Sequence, residues 1–368
     1  MNEYKKIALL ACWLVGMAQV HAQFRKYSNE FLNIGAGARG LGMGAAQVAS
    51  VQDATAGYWN PAGLVQVQQH MQLTAMHADY FAGIGKYDFV ALAIPTKSNN
   101  RTLGISFLRF AIDDIPNTLF LVEPDGSVNY NNITSFSSAD YAFLLSYSQQ
   151  IKNSSHQKLS IGGNAKIIYR KVGSFASAIG FGIDAALQYQ HNDWLAGIVL
   201  KDATSTFNAW TFTFTDREKE ILYLTQNNIP LKSTENTAPR LVLAGAKKVK
   251  LSSTWQLLAE ANLSCTFDGK RNTLLRTSLV SVDPNVGVEI SRKNSLFFRG
   301  GISNFQKALS DADLSNQKTV WIFQPSLGAG FKTGNVAIDY AFTNLANQSS
   351  PLYTHIFSLK MDLIKKTK

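Results

Sequence analysis

The chain has 368 residues, a formal net charge of +10 at pH 7 and a hydrophobic content of 46%. That apolar content is too high for a disordered chain. Lys and Arg are dispersed, and the one basic cluster is the terminal KKTK, so the net charge gives little support to nucleic-acid binding.

The first 22 residues predict a signal peptide that is removed on export. Lys5 and Lys6 precede an apolar run, residues 7–20, and Val20 and Ala22 occupy the −3 and −1 positions of a cleavage site. The run is too short for a comfortable membrane anchor. Cleavage would leave Cys265 as the single cysteine, which can form neither an internal disulfide nor a cysteine metal site.

From residue 71 onward the hydrophobic pattern has a period of two, which is typical of β-strands. In the clearest run, Ile179, Phe181 and Ile183 alternate with Gly180, Gly182 and Asp184. This run lasts about fifteen residues, whereas a strand of a globular protein has about five or six. Strands of this length indicate a membrane-spanning sheet.

Marking every such run predicts about fourteen strands. They are residues 71–81, 86–96, 101–111, 138–151, 157–172, 175–190, 193–203, 238–248, 253–266, 284–292, 295–306, 319–332, 335–343 and 352–363. An even number is expected of a single-chain outer-membrane barrel. Connections alternate between tight turns and a second set that includes the long loops 112–137, 204–237 and 267–283, although 82–85 and 173–174 in that set are short.

The fold class predicted is therefore all-β: a transmembrane antiparallel β-barrel of about 14 strands. Unpaired backbone groups are costly in hydrocarbon, so only a closed barrel can span as β-structure. The alternation then directs seven charged side chains into the lumen, because each would cost about 2–4 kcal/mol facing lipid near the midplane. They are Lys166, Arg170, Asp184, Glu260, Glu289, Arg299 and Asp339.

Aromatic residues near strand ends suit the two membrane interfaces. The candidates are Tyr87, Trp194, Trp255, Trp321 and Tyr353. The alternative fold is a large soluble β-sandwich or propeller, which the strand lengths and loop asymmetry disfavour.

Residues 33–44, NIGAGARGLGMG, contain a G-x-G-x-x-G pattern formed by Gly35, Gly37 and Gly40. The strand and helix that flank this pattern in a dinucleotide site are not predicted here. Asp53 lies only thirteen residues after Gly40, whereas the acidic residue of such a site lies about twenty residues further on. Glycines also let backbones approach closely, which suits a compact plug. The predicted division is a signal peptide at 1–22, an N-terminal hatch at 23–70 and a barrel at 71–368.

Residues 31–64, FLNIGAGARGLGMGAAQVASVQDATAGYWNPAGL, closely resemble the N-terminal hatch of the PorV/PorQ family. That family is related to the FadL-type fatty-acid transporters, and Asn60, Pro61 and Ala62 match the Asn-Pro-Ala element of their hatch. Gly35, Gly37, Gly40, Gly42 and Gly44 complete the predicted structural residues of this segment. The motif covers about the first tenth of the chain, and the fourteen strands of FadL-like barrels extend the resemblance to the rest.

The resemblance implies an outer-membrane component of type IX secretion. Such barrels associate with the translocon, receive the C-terminal signal domain of cargo and carry it to surface attachment. The long loops 112–137 and 204–237 would then be recognition surfaces, the second with a short helix near Asp216 to Thr225; alternatively, they only shield the pore.

Two other functions compete with secretion. A FadL-like channel for an apolar small molecule would need a lateral opening and an apolar lumen; the inward charges argue mildly against the latter. Strand glycines such as Gly104, Gly162, Gly163, Gly300 and Gly301 would mark bulges in such a wall, or else accommodate the hatch.

The third class, a hydrolase, lacks support because the histidines are scattered along the chain, and of these only His77 invites a check. We therefore expect no catalysis, no metal, no cofactor and no nucleic-acid partner. Membrane lipid and the secretion machinery are the expected partners.

Overall fold

The computed structural model describes residues 26–96, 100–123, 125–229, 232–309, 318–343 and 353–364. The predicted signal peptide, residues 1–22, lies outside the described residues. The short helices are 3₁₀ helices at Glu30–Asn33, Pro61–Gln66 and Tyr130–Asn132 and α-helices α1 (Ala38–Gly42), α2 (Ala56–Trp59) and α3 (Asp216–Leu224). No helix in this part of the chain reaches the length and hydropathy of a membrane span.

The strands follow one another along the chain as antiparallel neighbours. They are β1 (Met71–Tyr80), β2 (Gly85–Pro95), β3 (Arg101–Asn117), β4 (Thr134–Asn153), β5 (Gln157–Val172), β6 (Ala176–His191), β7 (Trp194–Lys201), β8 (Thr206–Phe212), β9 (Lys232–Thr237), β10 (Arg240–Lys250), β11 (Trp255–Thr266), β12 (Leu275–Arg276), β13 (Ser281–Arg292), β14 (Leu296–Leu309), β15 (Thr319–Thr333), β16 (Val336–Thr343) and β17 (Thr354–Leu363).

These seventeen segments form a closed barrel of fourteen strand positions, because some positions hold two consecutive segments. β8 continues β7 along the same neighbour, β6, and β9 continues β10, while β12 is a two-residue addition beside β13. β17 pairs with β1, with Met71 opposite Leu363, and closes the ring. The predicted fold class, an antiparallel 14-stranded transmembrane barrel, is confirmed.

The outer surface of the barrel is apolar, as the period-two pattern predicts. Ile179 on β6, Leu327 on β15 and Phe357 on β17 are each more than half exposed. Because side chains alternate between the two faces of a strand, the intervening residues point into the lumen. This outward apolar belt is the lipid-facing surface of an outer-membrane-type barrel.

Tyr87 is an exception to the predicted interfacial aromatics. It is fully buried, points into the lumen and packs edge-on against Tyr80. The prediction was wrong because β2 carries apolar residues on both faces, so hydropathy alone did not fix which face is inward. Trp194, Trp321 and Tyr353 are exposed on the outer surface.

The long loop 204–237 is also more ordered than predicted. β8 and β9 extend the positions of β7 and β10 past the rim of the barrel, and α3 connects them. A capping box begins this helix: Thr215 accepts from the backbone N–H of Glu218, whose carboxylate accepts from the backbone N–H of Thr215. We call this extended long-loop end of the barrel the funnel.

Candidate functional site

Residues 26–70, which we call the hatch segment, lie inside the barrel. The segment begins at the long-loop end, where the Ser28 hydroxyl contacts that of Thr237 at 2.7 Å. It ends at the short-turn end, where Thr102 donates a hydrogen bond to the Val67 carbonyl. The hatch segment therefore runs the length of the lumen.

The glycine-rich run owes its sequence to backbone conformation and close packing. Gly35 and Gly37 have φ values of 116° and 84°, which L-residues with a side chain rarely adopt. Gly40 and Gly42 belong to α1, and a Cβ on Gly42 would press on the backbone of Gly328 in β15. Gly44 fits against β14 beside Gly301.

The barrel wall carries matching glycines. A Cβ on Gly162 of β5 would collide with the backbone of Pro61 and Ala62, and one on Gly301 of β14 with Met43 and Gly44. Gly104 likewise faces Leu64. Gly163 and Gly300, by contrast, have no hatch residue near their Cβ positions.

Asn60 and Pro61 fix the turn that ends α2. The Asn60 amide donates to the carbonyls of Val48 (2.9 Å) and Leu187 of β6 (3.2 Å), and its oxygen accepts from the Ala62 N–H (3.1 Å). Pro61 then occupies the first position of the 3₁₀ helix Pro61–Gln66, where the missing N–H costs nothing. One side chain thus ties two stretches of irregular hatch backbone to each other and to β6.

Three of the seven predicted lumen charges form one cluster with the hatch segment. Glu289 accepts bonds from Arg39 of α1 (2.9 Å) and from Arg299 (2.6 Å), and Arg299 also bonds Asp339 at 2.6 Å. All are largely buried, where removing one partner of an ion pair typically costs about 3–5 kcal/mol. Arg39 was not singled out from the sequence.

The other four predicted charges lie in three separate places, because Lys166 and Asp184 pair with each other. Lys166 bridges Asp184 (2.8 Å) and Asp202 (2.5 Å), where β7 gives way to β8. Arg170 pairs with Asp140 and Glu235. Glu260 accepts the backbone N–H groups of Ala49 and Ser50 at 2.7 and 3.2 Å.

The sequence does not predict a second ion pair between the hatch segment and the barrel, which Asp53 forms with Lys360 at 2.8 Å.

One side of the lumen is apolar. Phe89 and Leu108 of the wall are fully buried in one cluster with Tyr58, Trp59 and Leu64 of the hatch segment. Charged and apolar walls therefore hold the hatch segment from different sides.

His77, the histidine selected for a check, faces outward. It is half exposed and contacts Asp88 at 2.7 Å, and Asp88 bonds Arg109 at 3.0 Å. Within the described residues, no group of His, Cys, Asp or Glu side chains converges in a metal-binding arrangement.

A break in the barrel wall was not predicted. β13 and β14 pair only from Arg292–Leu296 to Val286–Ile302. Beyond that point β13 remains bound to β11, whereas β14 remains bound to β15 after a register shift between Ser303 and Gln306. Asn304 in this bulge has a φ of 55°, and Pro284 opposite lacks the N–H that a sheet ladder needs.

The loop 267–280 covers the outer part of this break. The Asn272 side chain donates to the Lys307 carbonyl (2.8 Å) and accepts from the Lys307 N–H (3.1 Å). Arg271 bonds Asp268 in the same loop and Glu30 of the hatch segment. Burial raises the pKa of Asp268, but the hydrogen bonds and charge of Arg271 outweigh it, so the pKa of this carboxyl lies below its ordinary value.

A cavity of about 580 Å³ lies behind the break at the long-loop end. Asp283 and Asn285 of β13 and Ser303 of β14 line it from the separated strands. The rest of the lining includes neutral polar side chains such as Asn33, Thr273 and Gln306. It also includes apolar side chains and two arginines that bond Glu30: Ile34, Leu41, Tyr80, Phe81, Pro325, Arg240 and Arg271. The space is therefore amphipathic and reaches a wall segment without strand pairing.

The geometry defines a class: a 14-stranded transmembrane barrel whose lumen contains its own N-terminal segment. Solved structures with this fold include the CymD monoaromatic hydrocarbon channel (14% identity, 91% of this chain and 99% of that chain, TM-score 0.52). The Ralstonia pickettii toluene transporter TbuX is similar at 12% identity (90% and 99%, TM-score 0.53). A Pseudomonas aeruginosa FadL homologue is similar at 12% (89% and 98%, TM-score 0.50).

These likenesses establish a FadL-like fold. No protein-family model matches the chain, and no curated protein matches it in sequence. The finer assignment to PorV/PorQ thus rests on the resemblance of residues 31–64.

Proposed function

We propose that the protein is an outer-membrane channel for an apolar or amphipathic small molecule. The molecule would enter at the long-loop funnel, occupy the cavity of about 580 Å³ and leave sideways between β13 and β14. The observation that carries the proposal is the loss of strand pairing where this cavity meets the wall.

The chemistry of the cavity supports an amphipathic ligand. Leu41 and Tyr80 offer apolar contact to a ligand. Arg240 and Arg271 are cationic and can donate hydrogen bonds to its polar end. A sideways exit would spare an apolar molecule the charged inner lumen, because hydrocarbon lies directly outside the wall. The FadL-like relatives named as hydrocarbon and toluene transporters are consistent with this class of ligand.

Uptake of apolar probes tests the proposal. Cells whose outer membrane lacks other FadL-like channels would be given radiolabelled toluene or a long-chain fatty acid. Ser303→Trp fills the cavity at the break and is expected to reduce uptake to the level of cells without the protein. Phe298→Trp, on the lipid face of the same strand, provides the matched control and should leave uptake unchanged.

Equal uptake by both variants and by the unmodified protein would contradict the lateral route. Surface abundance and heat-modifiable migration, measured on the same cells, separate blocked transport from failed assembly.

A second candidate is a role in type IX secretion, favoured by the sequence of residues 31–64. In that case the funnel and its loops would bind a translocon subunit or the C-terminal signal domain of cargo. Under either proposal the barrel resides in the outer membrane, contacts lipid and performs no catalysis.

A further inference from the structure

The short-turn end of the barrel contains a second, separate cavity of about 440 Å³, which we call the vestibule. Its floor includes Arg39 and Asp53 of the hatch segment, and its walls belong to β1, β10, β11 and β13 to β17. Short turns of outer-membrane barrels face the periplasm. The vestibule therefore opens to the periplasm, on the opposite side from the proposed transport cavity.

The charges that line the vestibule do not balance. Three acidic side chains, Asp53, Glu289 and Asp339, are all bound to Arg39, Arg299 or Lys360. Five cations line the same space, which leaves Lys248 and Lys332 without an ion pair among the described residues. The excess is two positive charges.

More cations stand at the mouth. Lys158 and Lys250 follow the inward-facing alternation of β5 and β10, and Lys158 lies close enough to Lys248 for their charges to interact. Asp193, in the neighbouring turn, contributes one opposing charge near Lys248, and Asp362 of β17, which accepts a hydrogen bond from the Gln72 amide at 2.7 Å, contributes a second at the mouth. The rest of the lining consists of neutral polar side chains and three apolar ones: Ser50, Gln52, Gln72, Gln256, Ser291, Asn294, Leu258, Phe297 and Ala337.

We propose that the vestibule binds an acidic peptide segment presented from the periplasm, with Lys248 and Lys332 as its principal contacts. Lysines on flexible stems, surrounded by amide side chains, suit several carboxylates spaced along a chain. A dedicated phosphate site instead commonly uses arginine forks or converging backbone N–H groups, and the arginines here are already paired with acids.

The position of this site couples it to the hatch segment. A bound carboxylate would meet the cations that hold Glu289 and Asp53, and would compete for Arg39 and Lys360. This inference does not depend on the transported molecule, because the vestibule and the transport cavity have separate linings.

Binding of fluorescein-labelled hexaglutamate to the purified full chain in detergent tests the proposal. We expect saturable, salt-sensitive binding, with no binding of labelled hexaglutamine. Lys248→Gln/Lys332→Gln should weaken the affinity about tenfold, the sum expected for two partly exposed ion pairs. Lys152→Gln/Lys293→Gln removes the same charge from an exposed strand end and an exposed turn of the same rim, neither of which lines the vestibule, and should change affinity by less than about twofold.

Two results would overturn the proposal: no hexaglutamate binding, or an equal loss in both double variants. If pyrophosphate binds where hexaglutamate does not, the vestibule is a small-anion site instead. Lys332→Gln alone, at an exposed strand end, gives a second test if the double variant does not assemble.

Discussion

Asn60 is a buried side chain whose three hydrogen bonds join parts of the hatch segment to one another and to β6. Irregular backbone has no ladder of its own, so its N–H and C=O groups need such partners when buried. Glu260 plays a similar part from the barrel side, where its carboxylate accepts two hatch N–H groups. Individual polar residues, rather than secondary structure, thus hold the hatch in the lumen.

Replacing Asn60 and Pro61 together by alanine should loosen the hatch segment. The change leaves the buried carbonyl of Val48 without its donor, at a cost of about 1–3 kcal/mol, and removes the hydrogen bond between the hatch segment and the Leu187 carbonyl of β6. We expect a folded barrel with greater entry of large antibiotics and detergent into cells.

The matched control is Asn192→Ala, in an exposed turn. Normal permeability of the double variant, with barrel assembly intact, would show that these residues do not hold the lumen closed.

At the scale of elements, the break between β13 and β14 depends on three local features. Pro284 lacks a donor, Asn304 adopts a left-handed conformation, and the loop 267–280 covers the outer edge through Asn272. Uncovered strand edges can pair with other chains. The loop 267–280 covers the outer edge, so only the inner part of the break is left unpaired.

Replacing Asn272 by alanine should release the outer half of β14. Two hydrogen bonds to Lys307 would be lost, each with a net value of about 0.5–1.5 kcal/mol. Hydrogen–deuterium exchange of residues 303–309 should become about tenfold faster, while residues 296–302, paired with β13, keep their rate.

Thr273→Ala in the same loop is the control, since Thr273 bonds only within the loop. Unchanged exchange in Asn272→Ala would contradict the role assigned to this side chain.

The sequence predicted the strands because their side chains alternate over long runs, as at Ile179 to Ile183. It did not predict β8 and β9, since Thr206–Phe212 and Lys232–Thr237 stand above the lipid belt and need no apolar outer face. The sequence placed Tyr87 on the wrong face because β2 carries apolar residues on both of its faces. The Asp53–Lys360 pair joins residues far apart in sequence, which local patterns cannot reveal. The wall break lies within one hairpin, between strands that both continue past it with other partners, so a strand pattern does not reveal it either.

At the scale of the whole molecule, the two ends of the barrel differ in charge. The long-loop end mixes acids and bases in pairs, such as Arg271 with Asp268 and Glu30, and Arg240 with Glu30. The short-turn end carries Lys152, Lys248, Lys293 and Lys332, which form no ion pairs with other described residues. Each end therefore presents a different surface, and each has its own cavity.

Transport of a small apolar or amphipathic molecule by the barrel is tested most directly by mild-detergent affinity purification of the tagged protein from outer membranes. Mass spectrometry would identify the co-purified proteins and the extracted small molecules. We predict the barrel alone with a bound apolar or amphipathic molecule, which is lost in Ser303→Trp and retained in Phe298→Trp. Recovery of a giant translocon or of cargo C-terminal domains, with no such molecule, would contradict the transport function and support the secretion role.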